Sequence, residues 1–179
     1  MSIHNLKDGD YTYKVFGDNA AFLAIVDIDT YDIYDYDWDY HNLNERLTTR
    51  INLKKAIAWG CPQDEFQIRI TQSISEEEIK QSFNSFSQNY ESHGVLSLSN
   101  YTSLTMCAQF DDFKLPQPED GVFSVKPNGY LVTIYQMFAW ETGQQFAEKL
   151  NQGDNYIIVF KKNSFAHPKN TFTKIPWSY

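Results

Sequence analysis

No apolar run in this chain is longer than Ala20 to Val26, and each short run like it is closed by turn residues. Segments of that length fit strands far better than helices, so the pattern predicts a mainly β domain. Tyr11 to Phe16 alternates and ends at Gly17-Asp18-Asn19. The apolar stretch Ala21 to Ile28 follows, and the two together read as a hairpin. Phe66 to Ile70 alternates cleanly, Gly94 opens Val95 to Ser99, and Leu104 to Phe110 is a further strand candidate. Val122 to Val125, Tyr130 to Met137 and Tyr156 to Phe160 complete the set, with Pro127-Asn128-Gly129 as a tight turn. Twelve Tyr and thirteen Phe against three Met agree with pleated surfaces. The expected fold is an antiparallel β-sandwich-like single domain over 1–160, with one or two short helices. A Lys- and aromatic-containing extension over 161–179 is expected to lie across it as a strap.

Two helix starts are written into the sequence. Ser75 and Glu78 make a capping box, flanked by Ile74 and Ile79 at the staple positions. Thr142 and Gln145 repeat the box, with Phe146 and Leu150 as a stripe and Gly153 as a stop. Ile79, Phe83, Phe86 and Tyr90 recur at helical spacing, while Arg46 to Ala58 shows no clear period.

Charge is distributed unevenly. The chain carries 23 acidic and 15 basic residues, a net charge of −8. Residues 15–45 contain Asp18, Asp27, Asp29, Asp32, Asp35, Asp37, Asp39 and Glu45 and no Lys or Arg. Without them the remaining 15 acids balance the 15 bases, so the whole net charge belongs to one segment. Beyond Asp154 the only charged residues are Lys161, Lys162, Lys169 and Lys174. Such asymmetry bears on partners rather than on fold.

The acidic segment contains Tyr34-Asp35-Tyr36-Asp37-Trp38-Asp39-Tyr40, an alternation of period two. In an extended strand Asp35, Asp37 and Asp39 share one face and the aromatics the other. The carboxylates would stand about 6.6–6.8 Å apart, near two phosphate steps of about 3.4 Å. Three uses compete for such a row: a solvated edge strand that discourages aggregation, a surface for a basic partner with aromatic anchors, and a cation site. An EF-hand loop does not fit, because Tyr40 would take the Gly position and Arg46 the bidentate Glu position.

Catalytic signatures are absent. There is no GxSxG, HExxH, SxxK or Gly-rich phosphate loop, and His4, His41, His93 and His167 are scattered singly. Glu76-Glu77-Glu78 is explained by the helix dipole. Cys61 and Cys107 fit neither a zinc knuckle nor a redox pair and read as buried free thiols. That usage, with no signal-peptide layout at the start, leads us to expect a cytoplasmic protein. The net charge argues against direct nucleic-acid binding by the Lys-rich tail, and neither a membrane role, a metal nor a cofactor is expected.

The order of features resembles the bacterial competence protein J family. The residues that carry the likeness are Trp38-Asp39, the turn Ile57-Ala58-Trp59-Gly60-Cys61-Pro62, the strand Phe66 to Ile70, Gly94-Val95-Leu96-Ser97-Leu98, and Pro127-Asn128-Gly129-Tyr130-Leu131-Val132-Thr133. The likeness spans Asp27 to Phe160. It implies an all-β fold and an acidic inhibitor of a DNA-entry nuclease, with no catalytic residues. It also makes Phe83 to Tyr90 a strand, leaving a short helix at Glu76 to Gln81.

The expected function is therefore stoichiometric inhibition of, or immunity to, a basic enzyme such as a nuclease or secreted toxin. Asp35, Asp37 and Asp39 would lead the contact, Asp27, Asp29 and Asp32 would extend it, and Tyr36 and Trp38 would anchor it. The rival is a carbohydrate- or small-ligand-binding β-module using Trp38, Trp59 and Trp140 as stacking platforms.

Overall fold

The computed structural model describes residues 3–31, 40–106, 121–141, 144, 146–147, 150, 152–162 and 171–178. They form two five-stranded sheets. The strands are β1 (His4–Asn5), β2 (Tyr11–Phe16), β3 (Phe22–Asp27), β4 (Ala56–Gly60), β5 (Glu65–Thr71), β6 (Asn84–Ser92), β7 (Val95–Asn100), β8 (Val122–Ser124), β9 (Asn128–Gln136) and β10 (Tyr156–Lys162). One sheet has the order β1-β8-β7-β3-β4 and the other β2-β5-β10-β9-β6. Helices α1 (Tyr40–Asn52), α2 (Glu76–Gln81) and α3 (Tyr101–Met106) connect them.

The fold is mainly β and sandwich-like, with two departures from a purely antiparallel plan. β10 runs parallel to β5, pairing Tyr156 to Val159 with Ile68 to Thr71, and β1 runs parallel to β8. β2 and β3 do not form a hairpin. β2 pairs with β5, whereas β3 pairs with β4 and β7 in the other sheet. The turn residues mark a crossing between layers. Asn128-Gly129 likewise opens β9 instead of closing a tight turn, and Gly129 is not among the glycines with positive φ.

Alternation sends Leu23, Ile25, Ile57, Trp59 and Leu98 from one sheet, and Phe66, Ile68, Val132, Ile134 and Ile158 from the other, into one inter-sheet core. Trp59, Phe66, Phe138 and Tyr156 meet there with ring centroids 5.2–5.7 Å apart. The opposite face of the first sheet, through Phe22, Ala24, Val26, Ala56 and Ala58, is covered by Leu43, Leu47 and Ile51 of α1. These three leucine and isoleucine side chains repeat every four residues and are fully buried. Each contributes about 1.5–3 kcal/mol as an upper bound.

Ser75 and Glu78 close the capping box at α2, as the sequence indicates. Residues 84–92 form β6, so the strand implied by the family resemblance replaces the helical spacing. Thr142 and Gln145 of the second box lie outside the described residues; those described between 141 and 153 are non-helical, and Phe146 is exposed. Leu104, expected in a strand, lies in α3, because Asn100 caps that turn by accepting the Ser103 N–H at 2.9 Å.

Lys161 and Lys162 finish β10, and residues 171–178 lie against the domain. Asn52 exchanges two bonds with the Phe172 backbone, at 2.8 and 2.9 Å. Ile175 is buried under α1, Trp177 meets Phe86 edge-on at 4.7 Å, and the Gly60 N–H donates to Pro176 at 2.7 Å. Among the described residues no helix is long and apolar enough to cross a membrane.

Arg69 projects from the outer face of β5 and ties three elements together. It bonds Asp154 at 2.7 Å, Asp10 at 3.2 Å and Glu78. The Glu78 carboxyl is held below the usual glutamate range, first by accepting the Ser75 backbone and hydroxyl hydrogens and then by Arg69. A group depressed in the folded state stabilises above its ordinary value and loses that contribution as pH falls. Urea midpoints are expected to fall between about pH 5 and pH 3, and Glu78→Gln to flatten that decline. An unchanged slope in the variant refutes the assignment.

Candidate functional site

The acidic segment runs through β3, the strand buried between the inter-sheet core and the helix layer. Asp27 ends it, and its carboxylate accepts the His93 N–H at 2.7 Å and the Asp29 N–H at 3.1 Å. The His93 ring lies 3.6 Å away, and Asp27 is only 2% exposed. Asp27 is thus committed within the chain and does not extend an outward acidic face. It fastens the end of β3 to the turn between β6 and β7.

Past Asp27 the chain turns outward. The Ile28 N–H donates to Val95 at 3.0 Å, Asp29 is exposed, and the Tyr31 hydroxyl donates to the Leu104 carbonyl at 3.2 Å. Asp32, Asp35, Tyr36, Asp37, Trp38 and Asp39 lie outside the described residues, as does Cys107. The segment re-enters the described fold at α1, whose exposed Glu45 sits 3.7 Å from His41. At the segment's other end, Asp18 accepts the Thr102 N–H at 2.7 Å and hydroxyl at 2.8 Å, and the Ala20 N–H at 3.1 Å. The acids on either side of the Asp-aromatic run are therefore placed by the fold. Asp18 anchors a corner, Asp27 is buried, and Asp29 and Glu45 face solvent.

The platforms of the rival reading fare differently. Trp59 is fully buried in the inter-sheet core and cannot stack on a sugar. Trp140 packs against that same core and donates its indole N–H to Gln144 at 3.0 Å. Trp38 lies outside the described residues. Cys61 is a buried free thiol, pushed well up by burial and then by Asp18. Among the described residues no three His, Cys, Asp or Glu side chains converge as metal ligands. The three-acid knot on Arg69 is scarcely legible in the sequence. Its only sequence signals were an arginine at an outward strand position and the Glu78 of the capping box.

No family model matches the chain, and no curated protein does. Two solved structures are similar. One, described as crocagin biosynthetic gene J, has a TM-score of 0.56 at 12% identity, covering 86% of this chain and 98% of that one. It shares the fold. The other is ComJ of Bacillus subtilis, described as the inhibitor of the DNA-degrading activity of NucA. Its TM-score is 0.47 at 10% identity, covering 86% of this chain and 96% of that one. At these identities the likeness concerns the fold.

Proposed function

We propose that this protein acts by binding, and that its acidic segment docks on a basic enzyme, a nuclease or secreted toxin, and blocks it. The observation that carries the reading is that residues 15–45 hold the entire net charge without one cation. Its flanking carboxylates Asp29 and Glu45 face solvent on a buttressed β3–α1 frame. The sequence resemblance to the competence protein J family supports the same class of partner. Asp32, Asp35, Asp37 and Asp39 make the contact, with Tyr36 and Trp38 as anchors, and no nucleic acid is bound directly. The reading places the protein in the cytoplasm, where a free thiol such as Cys61 stays reduced.

Titration into DNA-cleavage assays of basic nucleases, and of NucA, is expected to abolish cleavage at equimolar ratio. Association with the inhibited enzyme is steered by charge, so its rate falls steeply with salt. Replacing Asp35, Asp37 and Asp39 with Asn is expected to slow it about 10- to 100-fold at low salt. Unaltered rate and salt slope in that triple variant would remove the proposal.

A further inference from the structure

A cleft of about 800 Å³ opens at the corner where β2, the following turn and α3 meet. Phe16, Asp18, Asn19, Ala20, Tyr101 and Thr102 form most of its wall. The wall is fixed in place. Asn100 donates to the Phe16 carbonyl at 2.9 Å, the Gly17 N–H donates to Asp64 at 2.8 Å, and Asp18 holds the first turn of α3. A Cβ on Gly17 would stand 2.7 Å from the Cys61 sulfur and from the Pro62 oxygen, so the turn is seated hard against its neighbours. Phe16 is half exposed on the rim, although it closes a β-strand. Asp18 is the one charged residue among those lining the cleft.

Two observations point to the occupant. The cleft joins aromatic surface to one carboxylate, Asp18, which accepts three hydrogen bonds within the chain but is in no salt bridge among the described residues. This is the complement of a long side chain with an apolar stem and a cationic head. It also adjoins the acidic segment: Asp18 belongs to that segment, and α3 binds Tyr31 through Leu104. We infer that the cleft receives a basic side chain of the protein partner, an arginine lying over Phe16 with its guanidinium toward Asp18. This rests on the binding role proposed above and names a second, pre-shaped contact for it. Arginine suits the site better than lysine because its planar, weakly hydrated head stacks on rings while pairing with a carboxylate.

The probe is N-acetyl-arginine amide, titrated into the labelled full chain and followed by amide NMR shifts. Saturable shifts are expected at Phe16, Asn19, Ala20 and Thr102 with a Kd of about 1–10 mM. The neutral isostere N-acetyl-citrulline amide is expected to bind at least about fivefold more weakly. Phe16→Ala, at a half-exposed position, is expected to weaken arginine binding several-fold with an unchanged unfolding midpoint. Equal binding of citrulline, shifts elsewhere, or an unaffected Phe16→Ala variant overturns the inference. This readout needs no partner, so it fails or succeeds separately from the inhibition assay. With an inhibited nuclease, Phe16→Ala should speed dissociation about tenfold and spare the salt slope. If it dissociates like wild type while the triple Asp variant associates slowly, the cleft assignment falls and the docking segment stands.

Discussion

Replacing Asp27 with Ala is expected to lower stability by about 2–4 kcal/mol, because it leaves two backbone N–H groups without an acceptor at a closed site. Those donors belong to His93 and Asp29, and the carboxylate that now satisfies them is almost wholly buried. The corresponding drop in Tm is about 4–16 °C for a chain of this length. The same variant separates folding from binding. Any partner contact made by the exposed acids should keep its salt dependence at temperatures where Asp27→Ala remains folded. Calorimetry together with stopped-flow association checks both halves. A variant as stable as wild type, yet slow to associate, would return Asp27 to the contact surface.

Gly60→Ala tests the other large effect, the closure of β4 by the C-terminal segment. A Cβ there would lie 2.3 Å from the Trp177 oxygen and 2.7 Å from the Ser178 nitrogen, both backbone atoms with little room to move. The segment must lift, breaking the 2.7 Å bond from Gly60 to Pro176 and baring Ile175. The lost bond contributes about 1 kcal/mol and the isoleucine about 1.5–3 kcal/mol. Urea unfolding should therefore show a loss of about 2.5–4 kcal/mol. Trypsin should also cut at Lys174, whose ammonium now donates to the Ser178 carbonyl. A midpoint matching wild type, with Lys174 still resistant, refutes the account.

The sequence carried the strands well, because alternation and burial are local properties. Phe66 to Ile70 and Tyr130 to Gln136 alternate as a half-buried strand should. The Ser75 capping box was legible because its hydrogen bonds span only three residues. Which sheet a strand joins is not local, and so the crossing at Gly17 to Asn19 looked like a hairpin. The helix α1 escaped notice because Leu43, Leu47 and Ile51 are separated by polar and β-branched residues and follow an emphatic Asp-aromatic alternation. At the candidate site, charge segregation was plain in the sequence. The inward turn of Asp27 was not, because it depends on His93, which is distant along the chain. The corner cleft depends in the same way on Asn100 and Thr102 reaching back to Phe16 and Asp18.

The place of β10 has a consequence for biosynthesis. Of the described strands, the one latest in the sequence fills the middle of its sheet, between β5 and β9. Until residues 156–162 emerge, the strands they will join present unpaired edges. That layer cannot close before these residues are made, and a stop codon ahead of this strand would leave β2-β5 and β9-β6 as two orphaned half-sheets rather than a shortened domain.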